Sequence, residues 1–133
     1  MLLTTKGRYA VMAIIEIADD KSNQPVSLLT IAQKQDISLS YLEQIFVQLK
    51  KAGIVKALRG PGGGYILARP HHEITIAEVI KATGESIKMT RCSDEKKACM
   101  VTGVKCKTHQ LWHGLENNIF EYLNSISLRD ICK

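Results

Sequence analysis

Aromatic residues are scarce in this 133-residue chain, which has one Trp, two Phe and four Tyr. A core must therefore be built mainly from aliphatic side chains, and the 45% hydrophobic content can supply one. No apolar run reaches the ~18–20 residues that span a bilayer, so no membrane partner is expected. The opening Met1–Arg8 lacks the long apolar stretch of a secretory signal, which points to the cytoplasm. The four cysteines include no closely spaced Cys knuckle of the kind that marks structural zinc sites. No nucleophile–base pair, carboxylate dyad or second cofactor motif accompanies them, so neither an enzyme nor a small-molecule substrate is indicated. Acids are absent between Gln44 and His72, a stretch that holds Lys50, Lys51, Lys56, Arg59 and Arg69.

That acid-free stretch matters more than the net charge of +5, because phosphate neutralisation is local. Charge alone leaves a nucleic-acid surface and a merely solvated basic face equally open. The length fits one compact domain, or a small domain with a dimerisation appendage.

Apolar periodicity supplies the elements. Tyr9, Met12, Ala13 and Ile17 recur at three- and four-residue steps and predict a helix over Lys6–Asp19. Ser, Asn and Pro interrupt it at Asp20–Pro25. Ser27 reads as the N-cap of a short helix, Leu28–Gln35. After a brief connection a second helix opens at Ser38 or Ser40 and runs to Ala52. Its buried stripe is Leu42, Ile45, Phe46 and Leu49, with Ser40, Tyr41, Glu43, Gln44 and Gln48 opposite and Gly53 closing it. Ile54–Leu58 and Tyr65–Leu67 flank a Gly/Pro turn and predict a hairpin. Thr75 caps a helix ending near Gly84. Thr108 caps a long helix to Ser125, whose Leu111, Leu115, Ile119, Tyr122 and Ile126 are spaced like a coiled-coil seam.

Two short helices, the second apolar inward and polar outward, followed by a hairpin, make the pattern of a winged helix-turn-helix. The expected fold is mainly α (α+β), with a small β-hairpin wing and a long C-terminal dimerisation helix. A recognition helix must hold to its body by one stripe and offer polar groups to base edges in the major groove. Ser38, Ser40, Tyr41, Glu43 and Gln44 are the candidates on that helix. Glu43 repels phosphate yet can accept from a cytosine amino group, so it reads as a specificity device. At the hairpin tip, Arg59 beside Gly60, Pro61 and Gly62 suits a narrow minor groove; a tight turn with a solvated arginine is the plainer alternative.

Met89–Lys107 shows no helical or strand period. With the following helix start it contains Cys92, Cys99, Cys106 and His109, spaced Cys-x6-Cys-x6-Cys-x2-His. Thiolates and histidine can hold an iron–sulfur cluster, and Lys96, Lys97, Lys105 and Lys107 favour thiolates. By spacing alone, a cluster, a zinc ion and free thiols stand level. Cys132 reads as a buried or frayed thiol, His71 and His72 as surface residues, and Trp112 as packed at the dimer seam.

Three segments carry a family resemblance. They are Leu3-Thr4-Thr5-Lys6-Gly7-Arg8-Tyr9-Ala10, Ile37-Ser38-Leu39-Ser40-Tyr41-Leu42-Glu43-Gln44 and Arg59-Gly60-Pro61-Gly62-Gly63-Gly64-Tyr65. Thr90-Arg91-Cys92, Thr108-His109 and Leu111-Trp112 extend it over nearly the whole chain. Together they resemble the iron–sulfur cluster regulators of the IscR type and their bacterial winged-helix relatives. The resemblance implies a homodimer that binds a double-stranded DNA operator. Residues 1–84 would form the DNA-binding domain, 85–107 a cluster-binding loop and 108–133 the dimerisation helix and C-terminal segment. It implies a [2Fe–2S] cluster on Cys92, Cys99, Cys106 and His109 that controls operator choice, with cluster-assembly genes as targets. The gaps between the cysteines are longer than the IscR pattern, which keeps a [4Fe–4S] cluster as the alternative. A same-fold repressor that senses thiol redox, iron or nitric oxide, or carries no cluster, is the rival reading.

Overall fold

The computed structural model describes residues 5–85 and 107–132. Cys92, Cys99 and Cys106 lie outside that set. Helix α1 is Thr5–Ala18, α2 is Leu28–Gln35 and α3 is Leu39–Lys51. Strands β1, Val55–Leu58, and β2, Gly64–Leu67, follow, then a 3₁₀ turn at His71–Glu73. Helices α4, Ile76–Ala82, α5, His109–Asn124, and α6, Leu128–Ile131, complete the order.

Local chemistry sets the helix starts. The Ser27 hydroxyl accepts from the Thr30 amide at 3.1 Å, Ser38 from Tyr41 at 3.4 Å, and Thr75 from Glu78 at 3.2 Å. Each satisfies an amide that the first helical turn leaves without a partner. Thr108 differs from the expectation: it stands at the N-cap of α5 but forms no side-chain cap bond. Between α2 and α3, Asp36 takes the left-handed conformation at φ 53°, and Ile37 N–H returns to the Ala32 carbonyl at 3.1 Å. That tight reversal sets α3 across α2. Helix α3 then closes with Gly53 N–H on Lys50 and Ile54 N–H on Leu49, the paired bonds of a Schellman motif.

The core is aliphatic, as the composition requires. Leu42, Ile45, Phe46 and Leu49 on α3 are fully buried, as are Ala10, Ala13 and Ile14 on α1. Each of the larger side chains contributes about 1.5–3 kcal/mol on removal from water. The alanines of α1 let its backbone come close to its neighbours.

β1 and β2 pair antiparallel, with Val55 opposite Leu67 and Leu58 opposite Gly64. A third segment joins them: Val26 exchanges two backbone hydrogen bonds with Tyr65, at 3.0 and 2.9 Å. The polar run before Ser27 thus ends in a strand contact that period-counting misses. A second backbone exchange pins the C-terminal segment to the head. Ile76 N–H donates to the Ile126 carbonyl and Leu128 N–H to Ile74, each at 2.9 Å. Ile126 therefore lies past the end of α5 and is tied into this exchange rather than continuing the helical seam. Leu128 is fully buried, and Ser127 with Asp130 forms a capping box for α6.

Candidate nucleic-acid interface

Helix α3 presents two different faces. Leu42, Ile45, Phe46 and Leu49 point into the core, while Ser40, Glu43 and Gln44 are exposed. Tyr41 and Gln48, expected on the open face, are half-buried. Tyr41 packs on the core and meets Tyr9 of α1 edge-to-face, with ring centroids 6.0 Å apart. The Gln48 Oε1 is buried with no hydrogen-bond partner among the described residues. Val47, absent from the sequence-based candidates, is instead exposed beside Glu43 and Gln44. Ser38 is committed to the helix start, and its hydroxyl lies 3.2 Å from that of Ser40.

The start of α3 borders an open depression of about 460 Å³, lined by Thr5, Tyr9, Ile37, Ser38, Ser40, Tyr41 and Gln44. Apolar Ile37 forms part of its wall and hydroxyls much of its rim. Amides at the first turn and hydroxyls around it can take an anionic group such as a backbone phosphate.

The hairpin tip is a built turn. Gly63 N–H donates to the Gly60 carbonyl at 2.9 Å, with Pro61 second and Gly62 third at φ 75°. Proline followed by a positive-φ glycine is the type II pattern. Arg59, Gly60, Pro61 and Gly62 are all exposed, as are Lys50, Lys51 and Lys56. Arg69 is a correction to the sequence picture of the basic stretch. It forms an ion pair with Glu78 of α4, so a stretch free of acid in sequence meets one in space.

Two further features flank the segment that holds the cysteines. Glu85 accepts a hydrogen bond from the Gly7 amide at 3.1 Å, capping the first turn of α1 with a carboxylate. Nothing in the sequence marks Glu85 for that role, since its partner lies 78 residues away. On the other side, the His109 Nδ1 is buried and has no hydrogen-bond partner among the described residues. Its ring stacks on His113 at 6.1 Å, nearly parallel. In the neutral tautomer protonated at Nε2, Nδ1 has a lone pair for a metal ion, so His109 fits the role of ligand. Among the described residues no three metal-binding side chains converge. Cys132, also partly buried, has its thiol pushed above the ordinary value by desolvation and then by the Asp19 charge.

The Rrf2 family, described as iron-dependent transcriptional regulators, matches residues 3–133. The chain belongs to the Rrf2 family. It is 49% identical over 133 residues to the HTH-type transcriptional regulator IscR of Xenorhabdus nematophila, covering all of this chain and 80% of that protein. It is 47% identical over 133 residues to IscR of Vibrio campbellii, covering 78% of that protein. Among solved structures, CymR, the global cysteine regulator of B. subtilis, matches with a TM-score of 0.82 at 31% identity. That match covers 99% of this chain and 96% of CymR. T. potens IscR matches with a TM-score of 0.77 at 34% identity, covering 98% and 85%. The helix-turn-helix and hairpin are thus those of a DNA-binding transcription regulator, and the relatives are named as regulators, not enzymes. Among the described residues no helix is long and apolar enough to cross a membrane. The family is described as iron-dependent whereas CymR is titled a global cysteine regulator, so the fold by itself does not fix the input.

Proposed function

We propose that this Rrf2 protein binds a two-fold related DNA operator as a homodimer, and that an iron–sulfur cluster on Cys92, Cys99, Cys106 and His109 selects which operators it occupies. Ser40, Glu43 and Gln44 would meet base edges in the major groove, with Ser38 and Tyr41 fixing the start of α3 close to phosphate. Arg59, Gly60, Pro61 and Gly62 would enter the adjacent minor groove. Leu111, Leu115, Phe120 and Tyr122, all exposed on α5, supply apolar area for a second copy to cover. The division into a head at 1–84, a ligating segment at 85–107 and a dimerisation segment at 108–133 follows from these roles.

The observation that carries the cluster reading is the buried Nδ1 of His109, without a hydrogen-bond partner among the described residues. The 49% identity to an IscR-named relative supports it. A [2Fe–2S] cluster bound there would supply a negatively charged, redox-active cross-link; [4Fe–4S] is the alternative. The residues of this chain supply the coupling. Glu85 holds the N-terminus of α1, and Tyr9, less than a turn further, braces Tyr41 at the start of α3. Displacement of Glu85 therefore shifts the reading helix and alters how closely Glu43 approaches a base pair. For such coupling to work, ligation must favour one head position over another, since equal affinity for both shifts nothing.

The test is anaerobic purification with iron, sulfide and visible absorbance measured. Affinities for two classes of in-vitro-selected duplex follow, for wild type and Glu43→Ala, with and without cluster. The expected result is iron and sulfide in the wild type, and discrimination between duplexes that depends on the cluster and weakens in Glu43→Ala. Colourless protein that resists reconstitution yet binds operators normally would favour the rival reading of a same-fold repressor that senses thiol redox.

A further inference from the structure

The open face of α3 contains one residue that folding does not account for. Ser40, Glu43, Gln44 and Val47 follow at i, i+3, i+4 and i+7, the spacing that places side chains on one side of a helix. The first three are polar. Val47 is apolar and 51% exposed, whereas Leu42, Ile45, Phe46 and Leu49 are buried completely. A β-branched side chain in the middle of a helix lowers helix propensity, and an exposed one gains little from burial in return. An isolated surface valine elsewhere needs no explanation. This one continues the line of groups that faces DNA, and exposed Lys50 and Lys51 follow it, placed for phosphate.

The major groove offers one apolar feature, the C5-methyl group of thymine. We propose that Val47 is a specificity-determining residue that reads a thymine methyl in each half-site. This inference rests on the DNA-binding reading above and deepens it. One helical turn separates Glu43 from Val47, about 6 Å along the axis. That is about two base-pair steps of ~3.4 Å. The thymine read by Val47 therefore lies about two base pairs from the position at which Glu43 discriminates.

Duplexes are selected from a random-sequence pool with full-length wild-type protein. Each thymine of the selected site is then replaced by deoxyuridine, which removes only the methyl group. Binding is measured by fluorescence anisotropy at fixed salt for wild type, Val47→Ser and Val47→Thr. One thymine per half-site is expected to cost the wild type about fourfold on replacement, the value of one buried methyl. The same replacement costs Val47→Ser less than about 1.5-fold, while Val47→Thr, which keeps a methyl, retains the sensitivity. The salt slope of Val47→Ser should equal that of wild type, because no phosphate contact is removed. Selected sites without a methyl-sensitive thymine, or an equal loss in Val47→Ser, overturn the inference while leaving DNA binding intact. Failure to select any duplex bound in a salt-dependent way overturns both.

Discussion

Substitution of Gly64 by alanine tests whether the hairpin is held to the head by the Val26 contact. A Cβ at Gly64 would lie 2.5 Å from the Val26 carbonyl oxygen, 2.6 Å from its carbon and 2.9 Å from the Ser27 nitrogen. All three atoms are backbone, so no side chain can swing aside. Ordinary contact at about 3.5 Å requires the two segments to part by about 1 Å. The Val26–Tyr65 hydrogen bonds, now 3.0 and 2.9 Å, would then stretch to about 4 Å and be lost. Two bonds at about 0.5–1.5 kcal/mol each set the first part of the loss. Loosening of Val26, 8% exposed, and of the Phe46–Tyr65 ring contact at 4.8 Å adds to it. The total is about 2–4 kcal/mol, or about 10 °C in Tm for a chain of this size. Thermal unfolding followed by circular dichroism reads it, at matched protein concentration because self-association makes Tm depend on concentration. Gly62→Asn is the contrasting variant. Gly62 has a positive φ but open space around it, and Asn tolerates that conformation. It should unfold within about 0.5 kcal/mol of wild type. If Gly64→Ala unfolds as wild type does, the Val26 contact does not anchor the wing.

Two other outcomes follow from burial. Leu128→Ala should cost about 2–5 kcal/mol in urea unfolding, because the side chain is fully buried in the head; a loss under 1 kcal/mol would show that the C-terminal segment is not part of the core. In a Cys92→Ala, Cys99→Ala, Cys106→Ala background, the alkylation rate of Cys132 against pH should have its midpoint above the ordinary thiol value. Desolvation and then Asp19 disfavour the thiolate, so this group's contribution to stability is present at low pH and lost as pH rises through its folded value. A midpoint at or below the ordinary value would refute that reading.

Features that depend on residues three or four apart were legible in the sequence. Ser27, Ser38 and Thr75 cap where serine or threonine precedes an apolar period, and the α3 stripe is buried residue for residue. Pro61 and Gly62 specify their turn by their own backbone preferences. What was hidden depends on partners far along the chain. Tyr41 turns inward because Tyr9 of α1 is there to meet it. Arg69 leaves the basic set because Glu78 reaches it. Val26 and Ile126 join other segments through backbone atoms, which leave no side-chain signature. Val47 could have been found by extending the Ser40 face by two turns, had apolar residues been admitted as readers.

These distant contacts also tie both flanks of residues 86–106 to the head. That segment leaves the head at Glu85, just past α4, and rejoins the described chain at Lys107, just before α5. The far end of α5 is not free: through Ile126 and Leu128 it is bonded to Ile76 and Ile74, at the start of α4. The path α4, 86–106, α5 is thus closed on itself by a two-bond backbone clasp, with Leu123 and Leu128 packed on the core beside it. Because its exit is pinned, α5 cannot swing away from the head without breaking those two bonds. At the head end of the same segment, Glu85 accepts a hydrogen bond from the Gly7 amide. That bond holds the first turn of α1, and Tyr9 passes its position to Tyr41 and the start of α3.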